Sequence, residues 1–153
     1  MQIWLDADAA PAIVKEIVFR SAIRLNLQTH VVSNRPIHIP KSPLIRPVVV
    51  NKGPDEADHY ITNHAASGDV AITADVPLAE MLVKKDVRVI NPRGQIYTSE
   101  NIGELTASRN LMDQLRSTNQ ISGGGPPSYN DQDRNRFAQS LDKTLSALRK
   151  PKD

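Results

Sequence analysis

Five short aliphatic runs alternate with stretches of helical period over the first 90 residues, and that alternation restricts the fold more than any other feature of the chain. The runs cover residues 2–5, 29–33, 48–50, 70–73 and 87–90. Behind Pro11, which suits a helix's first turn, Val14, Ile17, Val18, Ala22 and Leu25 recur at helical spacing. Behind Asp55, so do Ala57, Tyr60, Ile61 and Ala65, and a further helix follows Pro77. Buried strands separated by helices are the pattern of a parallel sheet with right-handed crossovers. The expected class is therefore α/β, with ligands beyond the carboxyl ends of the strands.

Two regions depart from the alternation. Residues 36–47 hold four prolines, which argues for an extended connection and against a helix or a central strand, and leaves residues 48–50 as a third, buried strand. After Pro92-Arg93-Gly94 the strand signal fades. Residues 98–149 read as C-terminal helices appended to a core at 1–92, all within one domain of 153 residues. Asn101 with Glu104 spells a capping box, with Leu105, Leu111, Met112 and Leu115 behind it. A Gly/Pro-rich loop at 122–128 is a hinge or lid, and a last helix from about Asp131 carries Phe137, Leu141, Leu145 and Leu148 on one stripe.

Aromatics make up only 4% of the chain, so aliphatic side chains must build the core. There is no cysteine, which excludes disulfides and thiolate metal sites and makes zinc an unsuitable ion. A net charge of +2 with a pI near 9.0 permits binding of a polyanion at a focused patch without announcing it. No apolar run is long enough to span a bilayer, and no basic segment precedes a hydrophobic signal core, so the expectation is a soluble cytoplasmic protein with no membrane partner.

Acidic residues recur where this scaffold would place a site. Asp6 follows the first strand, Asp75 follows the strand at 70–73, and Asp55 and Asp58 share a face in the first turn of a helix. Asp8 lies two residues beyond Asp6, whereas Asp69 begins its strand and belongs to the opposite edge. Hard oxygen ligands converging on one cleft suit Mg²⁺ or Mn²⁺, and such a centre hydrolyses phosphodiesters of RNA or DNA. Each acid also has a plainer role. Asp8 and Asp75 are placed to cap helices, and Asp55 with Glu56 to complement a helix dipole. Asp6 is harder to dismiss, because a carboxylate directly after a buried strand is costly unless bonded.

Candidate substrate contacts at the same edge are Thr73, Asn34, Lys52 and Arg93, the last well shaped for phosphate. A strand threonine is more often structural, and Asn34 lies in a stretch that also reads as a plain turn. His30, His38, His59 and His64 have no metal-binding spacing and read as surface or packing residues. Gly123-Gly124-Gly125 leads into prolines and not into Lys-Ser/Thr, so it is no phosphate loop.

These motifs resemble known families. Asp55-Glu56-Ala57-Asp58 with Tyr60-Ile61, followed by Val70-Ala71-Ile72-Thr73-Ala74-Asp75, resembles the paired acidic motifs of the PIN-like and 5′-nuclease-like superfamily. More closely, residues 6–11 and 68–79, Pro92-Arg93-Gly94 and Asp133-Arg134-Asn135-Arg136-Phe137-Ala138 resemble the uncharacterised bacterial YaiI/YqxD family, over residues 1 to about 148. The resemblance implies a three-layer PIN-like fold and metal-dependent nuclease activity. It carries the metal site over to Asp6, Asp58 and Asp75 first, with Asp8 and Asp55 as weaker additions. The family pattern usually has cysteine where this chain has Ala10, so no thiol role there is essential.

Two other functions compete. Asp6-x-Asp8 after a first strand also occurs in haloacid-dehalogenase-like phosphatases, with a nucleophile and an acid/base. Against that, Pro11 opens a helix at once and leaves no room for a cap-bearing hairpin, and a strand of about 17 Å separates Asp69 from Asp75. The other alternative is a non-catalytic PIN-like module that binds RNA or protein; the few aromatics argue against base-stacking platforms in it.

Overall fold

The computed structural model describes residues 1–53, 55–117 and 128–149. In chain order the elements are β1 (Ile3–Asp6), α1 (Ala12–Leu25), β2 (Thr29–Ser33), β3 (Ile45–Val49), α2 (Glu56–His64), β4 (Val70–Ile72), α3 (Val76–Lys84), β5 (Arg88–Ile90), β6 (Ile96–Tyr97), α4 (Ile102–Ser117) and α5 (Asp131–Arg149). They form a six-stranded sheet in the order β3-β2-β1-β4-β5-β6, parallel except for the β5–β6 pair.

Strand alternation sorts the core into two layers. Ile3 and Leu5 of β1, Val31 of β2 and Val70 and Ile72 of β4 pack with Val14 and Val18 of α1 and Phe137, Leu141 and Leu145 of α5. Trp4, Val32, Ala71 and Val89 point the other way, onto Ile61 of α2, Leu78 and Leu82 of α3 and Ile102 of α4. The result is a three-layer α/β/α arrangement whose central strands are buried on both faces, as short aliphatic runs demand. From β1 the chain runs outward through α1 to β2 and β3, then returns to the other side of β1 as β4. The β1/β4 boundary is thus the point where the winding reverses, the usual place for a crevice at the carboxyl edge. Among the described residues no helix is long and apolar enough to cross a membrane.

Three local expectations are corrected. β3 is an edge strand and not a buried one: Val49 is 54% exposed, and Pro47 sits inside the strand. A proline has no N–H for the ladder, which an edge strand tolerates and a central strand does not. The strand pattern also does not end at Gly94, because Ile96 and Tyr97 pair antiparallel with Ile90 and Val89. Two residues are too few to show a period. Finally, Asn101 does not enter a capping box with Glu104. Its Oδ1 accepts the N–H of Thr98 and its Nδ2 donates to the carbonyl of Ile96, so its amide is used by the turn before α4. The Gly/Pro-rich tract read as a hinge or lid falls largely outside the described residues.

The C-terminal helix is part of the core. Gly94 explains how it docks: φ is +90°, and an added Cβ would lie 2.5 Å from the carbonyl carbon of Arg136. Only a residue without a side chain lets the β5–β6 turn approach α5 this closely. Ser140 Oγ donates to the Gly94 carbonyl across the same joint.

Candidate functional site

Alternation decides where Asp6 points. Residues two apart on a strand share a face, so Asp6 follows Trp4 toward the layer of α2 and α3, while its neighbour Ala7 joins the opposite core. Thr73, just past β4, follows Ala71 to the same side. The two meet across the β1/β4 boundary, where Thr73 Oγ1 donates to Asp6 Oδ2 at 2.9 Å. The same oxygen accepts the N–H of Asp75 at 3.0 Å, and Asp75 Oδ1 in turn accepts the N–H of Leu78 at 2.9 Å. Asp75 is therefore a helix cap, as its plainer role requires, and it is also tied to Asp6 through one buried hydroxyl.

Asp58 enters from the first turn of α2 and hydrogen-bonds Asp75. Burial, then the charges of Asp75 and Asp6, the bond to Asp75 and the charge of Asp55 together push its carboxyl up to about 6. Asp6 is raised as well, first by burial and then by the charges of Asp75 and Asp8, against the lowering effect of the Thr73 hydroxyl. The three acids thus feel one another, and one proton between Asp58 and Asp75 relieves part of the repulsion. Among the described residues no three carboxylate or imidazole groups already close around a single point.

The remaining candidates separate. Asp8 is exposed; it does not cap α1, but its Oδ2 accepts the N–H of Asn34 at 2.8 Å and ties the β1 loop to the end of β2. Asp55 is exposed with φ of 70°, and its side chain makes no capping bond to α2. Lys52 is exposed in the loop between β3 and α2. Arg93 lies in the β5–β6 turn, where its Nη1 donates to Asp133 Oδ2 at 2.9 Å. Thr73 has its donor and an acceptor position engaged by Asp6 and Asp75, so it positions acids.

Asp69 lies at the opposite edge, as expected from its place before β4. It is 6% exposed and accepts the N–H of Gln2, the indole N–H of Trp4 and the N–H of Ala66. His30 is buried, stacks on Trp4 at 4.1 Å and bonds Gln2, and His64 stacks on Tyr60 at 4.0 Å, so these two histidines serve packing.

Sequence reasoning missed Asp133 and Tyr129. Asp133 is 5% exposed; it accepts the N–H of Asn130 while Asn130 Oδ1 accepts its own N–H, and it receives Arg93. The spacing Asn130-x-x-Asp133 is a capping-box signal at the start of α5 and could have revealed it. Tyr129 donates its hydroxyl to the carbonyl of Pro92 at 2.8 Å. It lines a cleft of about 390 Å³ with Ala9, Pro11, Ala74, Pro92 and Arg93. A second cleft, of about 580 Å³, shares Asn91 and Arg93 with the first and extends to Arg136, Gln139 and Ser140. The narrower cleft reaches Ala9 and Ala74, the chain neighbours of Asp8 and Asp75.

Comparison with known proteins agrees over nearly the whole chain. The family described as "Uncharacterized BCR, YaiI/YqxD family" matches residues 4–147. A UPF0178 protein of Geobacter sulfurreducens is 49% identical over 148 residues, covering 97% of this chain and 98% of the relative. UPF0178 proteins of Trichlorobacter lovleyi and Bordetella petrii are 47% and 45% identical, each with at least 96% of both chains covered. No solved structure matches the chain.

Proposed function

The chain belongs to the YaiI/YqxD family, and from that premise we propose that it is a metal-dependent nuclease of PIN-like type, using Mg²⁺ or Mn²⁺ at Asp6, Asp58 and Asp75 to hydrolyse phosphodiester bonds of RNA or DNA in the cytoplasm. The observation that carries the reading is the link from Asp6 through the Thr73 hydroxyl to the N–H of Asp75 at the winding reversal of the sheet, with Asp58 near enough for the charges of Asp75 and Asp6 to raise its carboxyl. Carboxylates whose mutual repulsion favours taking up a proton are chemically matched to a hard divalent cation, which cancels the same repulsion. The three-layer architecture supports the PIN-like placement.

In this reading Asp6, Asp58 and Asp75 hold the ion, and Asp8 and Asp55 stand at the rim as additional oxygen donors. The ion would supply charge neutralisation and an acidified water. The chain's own contribution is positioning. Thr73 fixes Asp6 and Asp75 in one frame, the Leu78 N–H orients Asp75, and the Asp8 bond to Asn34 holds the entrance loop against β2. Lys52, Asn34 and Arg93 are the substrate contacts of this proposal.

Calorimetric titration with Mn²⁺ of the wild type, Asp6→Asn and Asp75→Asn tests the site. Heat of binding in the wild type and its loss in both variants is expected, together with Mn²⁺-dependent cleavage of mixed oligonucleotides. No binding at millimolar Mn²⁺ would sink the proposal, and binding without cleavage would favour the non-catalytic module. Turnover of a phosphomonoester that disappears in Asp6→Asn would favour the phosphatase instead.

A further inference from the structure

We infer that the groove running from Tyr129 and Pro92 to Arg136 is a subsite for single-stranded nucleic acid, taking a base along Tyr129 and Pro92 and a neighbouring phosphate at Arg136. The choice of nucleic acid rests on the nuclease reading; the groove's own shape and charge supply the rest.

The narrower cleft is walled by flat or small apolar groups, Pro11, Ala9, Ala74, Pro92 and the ring of Tyr129. That ring is fixed at its far end by the bond to the Pro92 carbonyl, and the Arg93 guanidinium lies 5.8 Å from its centroid. A rigid aromatic wall among prolines suits the face of a planar heterocycle, and base-on-aromatic stacking tolerates any base. Within a duplex both faces of a base are stacked on its neighbours, so an unpaired strand is the form that can enter.

The wider cleft continues from the same Arg93 and is polar. Asp133 faces it, bonded to Arg93 at 2.9 Å and 4.0 Å from Arg136. Arg136 carries its positive charge on a side chain that is 67% exposed. The groove therefore runs from Arg136 at one end to Ala9 and Ala74, the chain neighbours of Asp8 and Asp75, at the other.

The test is fluorescence anisotropy of a labelled single-stranded oligouridylate, titrated with the full chain in EDTA so that no metal contributes. Binding is expected to weaken by roughly tenfold in Tyr129→Leu, and to persist in Tyr129→Phe, which keeps the ring. Arg136→Gln should weaken binding and flatten the dependence of log affinity on log salt by about 0.7, the signature of one lost phosphate contact on a single strand. Asp75→Asn should bind at least as tightly as the wild type.

No binding in EDTA, wild-type affinity in both Tyr129→Leu and Arg136→Gln, or equal affinity for a duplex of the same length would each overturn the inference. Because Arg136 is exposed, its variant carries the test even if Tyr129→Leu unfolds. A chain that binds in this way without cleaving in Mn²⁺ would retain the subsite and lose the nuclease reading, and one that cleaves with both variants unaffected would do the reverse.

Discussion

Thr73 donates its hydroxyl hydrogen to Asp6 across the β1/β4 boundary at 2.9 Å, and the acid it serves is largely out of water. A hydrogen bond to a buried carboxylate favours its charged form. Thr73→Val should therefore raise Asp6 further and destabilise the chain near neutral pH by about 1.5–3 kcal/mol, measured by urea denaturation. Thr73→Ser keeps the hydroxyl and should recover most of that loss. Equal stability of the valine and serine variants would show that the bond contributes nothing.

Asp58 predicts how stability depends on pH. Its carboxyl lies near 6 in the folded chain against an ordinary 3.8, so between those values the folded chain holds a proton that the unfolded chain has released. Stability must then fall as pH rises through about 6, and the contribution is fully present only below 3.8. Asp6 acts in the same direction. Asp58→Asn removes the penalty, so its melting temperature should exceed the wild type's above pH 6 and converge with it near pH 4. A variant less stable than the wild type at neutral pH would contradict the assigned repulsion.

What could be read from the sequence, and what could not, divides along the range of the interactions. The placement of Asp6 and Asp75 at one edge was legible because each lies at the carboxyl end of a strand, and a parallel sheet sends all such ends to one edge. Asp69 was legible for the converse reason. The role of Thr73 was not, because the partner of its hydroxyl is 67 residues away. Pro47 was misread since the sequence marks a proline-tolerant strand but not the side of the sheet left unpaired. Asp133 was hidden in a run of charges that looks like a solvated helix face, and its burial depends on Arg93, 40 residues earlier.

Gly94 predicts the outcome of adding a single methyl group. With φ at +90° and a Cβ position 2.5 Å from the Arg136 backbone, alanine there must either strain the turn or push α5 outward. Gly94→Ala should cost at least about 1–3 kcal/mol, read as a lower melting temperature. Gly103, whose added Cβ would meet nothing within 4 Å, is the control, and alanine there should be tolerated or stabilising because it lies in α4.

Asp69 separates structural acids from the candidate site. It satisfies three donors, the N–H of Gln2, the indole of Trp4 and the N–H of Ala66, at the amino edge of the sheet. Gln2 and Asp6 are four residues apart along β1, about 13 Å at strand rise, so Asp69 is remote from the proposed ion. Asp69→Ala strands all three donors, the Trp4 indole buried and the other two part-buried, at about 1–3 kcal/mol for each that water cannot reach. The chain has one tryptophan, so its fluorescence during urea unfolding reports the loss directly. Asp69→Ala should therefore unfold at markedly lower urea, while the Mn²⁺ affinity of its folded form matches the wild type. Asp75→Asn should show the opposite pattern, with a smaller stability change and lost Mn²⁺ binding. If Asp69→Ala lost Mn²⁺ binding while still folded, the division of the sheet into a structural edge and a chemical edge would fail.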